Sequence, residues 1–155
     1  MKKMNNKGFS LVELIVVVLI MAIIAVALAP QVMKWVDNSR RSTDEDNYNE
    51  MIANAQVALT DKLAYAAVYA TGTASVKYSI KTDNNGTKLY KGSTDVTATQ
   101  ATATDDLAKA MYAVSANWAS IKAKVAITTA YQIDIYSDGS VRKTTNQPAL
   151  NADLS

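Results

Sequence analysis

The chain has 155 residues, enough for one domain plus an accessory segment but not for two full domains. It contains no cysteine, which excludes disulfides and thiol chemistry, and no histidine, which removes the commonest general base and the commonest zinc ligand. The formal charge of +2 is uneven: Lys2, Lys3 and Lys7 precede an apolar run, and the rest carries 13 basic against 14 acidic side chains, so no global basic character points to nucleic acid.

Three lysines ahead of an apolar run predict a cytoplasmic N-terminus and an outward C-terminus. Leu14 to Met33 are twenty consecutive uncharged residues, the first sixteen all apolar. As a helix they span about 30 Å, one hydrocarbon core. Pro30 lies near the far end, where the lost donor and the ring's clash with the preceding turn predict a kink or local loosening. Glu13 is the one charged residue between Gly8 and Met33. A carboxylate at the centre of a helix in lipid costs roughly 2.5–3.5 kcal/mol, less near the surface. Glu13 therefore needs either a place near one end or a partner.

Three readings of this segment compete. A cleavable secretory signal would use Ala27-Leu28-Ala29 as its small-x-small site. The run is longer than the usual ~7–15 residues and contains a charge, and Pro30 would follow the cut bond, so this reading is disfavoured. A plain membrane anchor accounts for everything except Gly8 and Glu13.

The third reading is a resemblance. The basic leader, the string KGFSLVELI from Lys7 to Ile15 and the long apolar stretch resemble the class III signal of type IV pilins and related pseudopilins. The resemblance covers about the first thirty residues. It implies that a dedicated membrane peptidase cuts between Gly8 and Phe9 and methylates Phe9, and it places Glu13 and Pro30 where the family carries the same residue types. The new amine on Phe9, with an ordinary pKa of about 7.7–8.0, is largely cationic at neutral pH and stays charged when methylated. It lies four residues before Glu13 and can pair within a subunit; the family implies a second pairing, with Glu13 of a neighbour in a filament. A charge expensive alone in lipid is tolerable when matched, so Glu13 and Phe9 are the expected assembly residues.

Farther along, residues 37–47 (DNSRRSTDEDN) are wholly polar, with Ser42 and Glu45 spaced as a capping box. They are either a break between helices or the solvated collar of one long helix. Tyr48, Ile52, Ala55, Leu59, Leu63 and Ala66 predict a core-facing helical stripe ending near Gly72. Residues 75–91 predict a hairpin, with Val76, Tyr78 and Ile80 on one face and Lys77, Ser79 and Lys81 on the other. Asn85-Gly86 as a two-residue turn sets Asp83 opposite Lys88 and Thr82 opposite Leu89. Residues 92–104, with six Ser or Thr from 93 onward, read as an exposed loop rather than a tract for O-glycosylation. Asn85-Gly86-Thr87 matches an N-glycosylation triplet that the turn explains more simply.

Thr104 is the expected cap of a helix with Asp105 and Asp106 in its first turn and Leu107, Met111, Val114, Trp118 and Ile121 on its core face. Val125, Ile127, Tyr131, Ile133 and Ile135 then fall on one strand face, interrupted by Thr129. A three-residue loop at Ser137-Asp138-Gly139, with Gly139 left-handed, sets Val141 opposite Ile135 and Arg142 opposite Asp134. The tail from Thr145, with Pro148, reads as loosely ordered.

No catalytic motif is present, and neither a cofactor nor a metal is expected. Asp44-Glu45-Asp46 lacks the spaced ligands and turn glycine of a calcium loop and reads as a solvated helix face. Lys77, Lys81, Lys88 and Lys91, against Asp83 alone, form a small basic patch that would suit DNA or a host surface but more simply keeps a sheet face soluble.

The expectation is therefore an α+β, pilin-like chain with an antiparallel sheet: leader at 1–8, membrane and assembly half of the first helix at 9–33, head at 34–155. The resemblance implies a non-enzymatic structural subunit of a type IV pilus, with itself, the prepilin peptidase and a membrane assembly platform as partners. Its precursor would sit in the cytoplasmic membrane and its polymer at the cell surface, serving adhesion or twitching motility. Alternatives are a pseudopilin of a type II secretion or DNA-uptake machine, and an anchored surface-binding domain that does not polymerise. Many family members close a C-terminal loop with a disulfide, which this chain cannot form.

Overall fold

The computed structural model describes residues 8–144. The leader lysines and the tail from Thr145 lie outside the described residues. The chain divides into two compact units, residues 1–37 and 38–155. The expected α+β architecture forms: a long N-terminal helix, α1 (Leu11–Ala58), is followed by a small antiparallel sheet.

In the first unit, α1 is apolar on every side, and all its large apolar side chains are exposed. In the second unit, residues 38–47 continue α1 without a break, so Ser42 and Glu45 start no helix. Asp44, Tyr48, Met51, Ala55 and Ala58 are its buried positions, at alternating spacings of four and three that keep them on one face. Tyr48, Ala55 and Leu59 of the expected stripe are buried, and Ile52 packs against the core from a half-buried position.

The helix expected to reach Gly72 instead stops at Ala58. Tight bonds from the amides of Thr60 and Asp61 to the carbonyls of Val57 and Ala58 close it. The Asp61 carboxylate then caps a new helix, α2 (Lys62–Val68), accepting from the amides of Leu63 at 2.9 Å and Ala64 at 3.0 Å. The new start rotates the face: Ala64 and Val68 enter the core, while Leu63 and Ala66 are exposed.

Five strands follow: β1 (Val76–Thr82), β2 (Thr87–Lys91), β3 (Thr94–Asp95), β4 (Tyr131–Tyr136) and β5 (Val141–Lys143), in the spatial order β3-β2-β1-β4-β5. One face carries Tyr78, Ile80, Leu89, Ile133 and Ile135 into a core shared with α1, α2 and α3 (Asp106–Val114). The other is polar, with the Ser79 hydroxyl donating to Asp134 at 2.6 Å, Lys81 over Tyr90 and Arg142 over Tyr136.

The first hairpin differs from expectation by one pleat repeat. Thr82 pairs with Thr87, Lys81 with Lys88 and Ile80 with Leu89. Asp83 to Gly86 form a four-residue loop in which the Asp83 carboxylate accepts from the amides of Asn85 at 2.7 Å and Gly86 at 3.0 Å. A shift of two residues keeps the side chains from Tyr78 to Thr82 on their expected faces and sets the buried Leu89 opposite the buried Ile80. Val76, expected beside Tyr78 on the core face, is instead exposed, because the register slips between the two where β1 pairs with β4. The second hairpin follows the expected register, with Ile135 opposite Val141, Asp134 opposite Arg142 and Gly139 at φ +80°.

Three further expectations are corrected. Part of the 92–104 loop is β3, anchored where Thr97 bonds to the Leu89 amide at 2.8 Å. The cap of α3 is Asp105, not Thr104, and α3 ends at Val114, so Trp118 reaches the core from a separate 3-10 turn, Trp118–Ser120. Strand β4 begins at Tyr131 rather than Val125, because side chains occupy the preceding backbone donors. The Asp44 carboxylate takes the Lys124 amide at 2.6 Å and the Val125 amide at 3.0 Å, and the Asn84 carbonyl takes the Ile127 amide at 3.1 Å. Asp44 is therefore buried rather than part of a solvated acidic face.

Removing the Asp44 carboxylate would strand two amides in the core. Asp44→Ala is expected to cost about 2–4 kcal/mol, against less than about 0.5 kcal/mol for Asp46→Ala on the exposed side, measured by urea unfolding of the detergent-solubilised chain.

Burial raises the Tyr78 phenol above its ordinary value of 10.0, as does its bond to Asp105 at 2.9 Å; the neighbouring Lys91 works in the opposite direction. Because the folded pKa is the higher one, this contribution is complete below the unfolded value and is lost as pH rises through the folded one. Tm should fall on the alkaline side of about pH 10, and Tyr78→Phe should make that fall shallower.

Candidate processing and assembly site

The residues singled out at the N-terminus come together over a single turn. Leu11 is the first helical residue, and the Ser10 carbonyl accepts the Leu14 amide at 3.2 Å, which makes Ser10 the cap. Glu13, three residues on, turns back so that its Oε2 accepts the Ser10 amide at 3.0 Å. This is the glutamate half of a capping box, and it sets a negative charge at the positive end of the helix. The bond alone gives Glu13 a role within one chain. Sequence pattern alone assigns the capping box to Ser42 and Glu45, where no helix starts, and gives Ser10 no role, although Ser10 and Glu13 have the same Ser-x-x-Glu spacing.

Gly8 and Phe9 lie just before this turn. Among the described residues, a Cβ built on Gly8 would touch nothing within 4 Å. Packing against the described residues therefore does not require glycine there, in contrast to Gly139, whose Cβ would lie 2.9 Å from the Tyr65 ring. Phe9, 86% exposed, has no place in a core. Its amide nitrogen is one residue from the Ser10 amide that holds Glu13, so a charge created at Phe9 would arise beside the carboxylate.

Beyond this turn the apolar side chains point in every direction, and the helix includes Pro30. Proline supplies no amide proton, so the Val26 carbonyl lacks its usual donor four residues on. Among the described residues, α1 is the one helix long and apolar enough to cross a membrane.

The other candidates lie in the second unit and are held mainly by local partners. Lys88 pairs with Asp95 at 3.1 Å, and the hydrogen bond to that carboxylate raises its ammonium above the ordinary value. Lys91 lies 3.5 Å from Asp105, and Lys81 stacks over Tyr90. The basic patch is thus interleaved with acids and tyrosines. Asp44, Glu45 and Asp46 are successive helical residues and point in different directions; among the described residues no three metal-ligating side chains converge. In the glycosylation triplet, the Thr87 hydroxyl is buried and donates to the Ile121 carbonyl at 2.8 Å.

Comparison with known proteins locates the same N-terminal segment. Residues 3–29 match the prokaryotic N-terminal methylation motif. No curated protein and no solved structure matches the chain significantly. The chain therefore carries a class III prepilin signal, of the kind found in type IV pilins and pseudopilins, running into the first half of a long helix that a five-stranded antiparallel sheet follows in a pilin-like α+β architecture.

Proposed function

We propose that the chain is a structural subunit of a type IV pilus: cut after Gly8, methylated on Phe9, and polymerised through the apolar half of α1 with Pro30 as its point of bending. Residues 1–8 are then the leader, 9–33 the membrane and assembly segment, and 34–155 the head. The methylation motif supports a pilin-like or pseudopilin precursor and a structural rather than catalytic role. The observation that carries the reading to assembly is a carboxylate poised at the start of a helix whose apolar side chains from Leu11 to Val36 are all exposed. Such a helix must be covered by lipid or by other helices. Lipid serves before assembly and sister helices after it, with the Phe9 amine of one subunit seated on Glu13 of another. Charges that are costly apart in a low-dielectric bundle are tolerable together, so the pair selects the stagger at which both are matched.

Processing is read from the N-terminus and mass of the protein recovered from its host. The wild type should begin at methylated Phe9, and Gly8→Leu should keep its leader. A wild-type chain with an intact leader would remove the main argument for assembly. Abundant long surface filaments favour a pilus; their absence, with a secretion or DNA-uptake defect on deletion, favours a pseudopilin.

Glu13 has two roles that one pair of substitutions separates. Glutamine keeps the capping-box chemistry but not the charge, whereas alanine keeps neither. Both Glu13→Gln and Glu13→Ala should be cleaved normally and yield far less filament in shearing assays. Normal yield from Glu13→Gln would leave capping as the residue's whole contribution.

A further inference from the structure

Trp35 is unused by the assembly reading. It is one of two tryptophans; Trp118 is completely buried, whereas Trp35 is 67% exposed near the end of the apolar part of α1. An indole is too large and apolar to stand in water without cost, yet its N–H suits a wet boundary, which is why tryptophan collects at membrane–water interfaces. Lys34 precedes it, a cation whose stem can lie along apolar surface while its head reaches phosphate. The uncharged run ends immediately before this pair, and Asp37, Arg40 and Arg41 follow.

The spacing to the other end of the run matches a bilayer. Glu13 to Lys34 is 21 residues, about 32 Å of helix against a hydrocarbon core of about 30 Å. With Trp35 at the outer interface, Glu13 falls at the inner one. Its carboxylate already turns that way, towards Ser10 rather than the middle of the helix.

We propose that Lys34 and Trp35 form an outer-leaflet anchor for lipid headgroups, which sets the depth of the unassembled helix and holds Glu13 in the hydrated layer at the inner surface. Glu13 thus avoids the hydrocarbon core while no neighbour is present to match it. The proposal rests on the membrane-anchored reading of the precursor.

The test uses the full chain in phosphatidylcholine–phosphatidylglycerol vesicles carrying bromine at shallow or deep acyl positions. Trp35→Phe supplies the background emission of Trp118. Trp35 should be quenched strongly by shallow bromines and weakly by deep ones. Because the chain has no cysteine, Val12→Cys gives a single nitroxide site beside Glu13, which should collide readily with an aqueous nickel chelate. That accessibility should change several-fold in Trp35→Ala and return in Trp35→Tyr. Deep quenching of Trp35, a label reached by oxygen rather than nickel, or a label indifferent to Trp35→Ala would each overturn the anchor while leaving the membrane reading intact. A chain that fails to float with vesicles would overturn both.

Discussion

From Phe9 to Val36 every large apolar side chain of this protein is exposed. An amphipathic helix would bury one face against a domain and wet the other, but here no face is polar. The segment must therefore exchange water for lipid or for like helices, and both environments restrict what else it carries. They exclude unmatched charge from its middle and explain why the charged residues stand at its borders, Glu13 at one end and Lys34 at the other. Leucine, isoleucine and valine suit both environments, since lipid tails and like helices are equally apolar.

Glu13 caps the helix in which it stands. Its bond to the Ser10 amide satisfies a donor that the helix itself leaves unpaired. The same placement holds the charge one residue from Phe9, where the proposed cleavage would expose a cationic amine. A residue farther into the helix could not cap, and one farther out would have no fixed orientation. The spacing is set by helix geometry, which explains why glutamate stands three residues after Ser10.

The second unit depends on polar side chains that replace regular structure. Asp44 holds the backbone at Lys124 and Val125, and the Asn84 amide group donates to the carbonyls of Ala123 and Val125 while its oxygen takes the Ile127 amide. These residues connect α1, the first hairpin loop and the segment entering β4 without a disulfide. They account for the irregular stretch before Tyr131 and for a buried carboxylate in what reads, residue by residue, as a polar run.

How much was legible depended on the range of the determining forces. The membrane-length helix, the leader motif, the hairpin faces from Tyr78 onward and the register at Gly139 follow from local periodicity and turn chemistry, which a linear string carries. The Ser10–Glu13 cap is equally local, and its Ser-x-x-Glu spacing stands in the string. What only the tertiary structure decided was long-range. The burial of Asp44 depends on amides 80 and 81 residues away, and the late start of β4 depends on the same bonds. The division between α1 and α2 is marked by Asp61, but which of Leu63 and Ala64 faces inward depends on the packed neighbours. By itself, then, the sequence determined which segments are apolar, where helices and turns are permitted and how the N-terminus is marked for processing. Packing decided which polar groups are buried, because the partner that makes such burial tolerable is brought there by the fold.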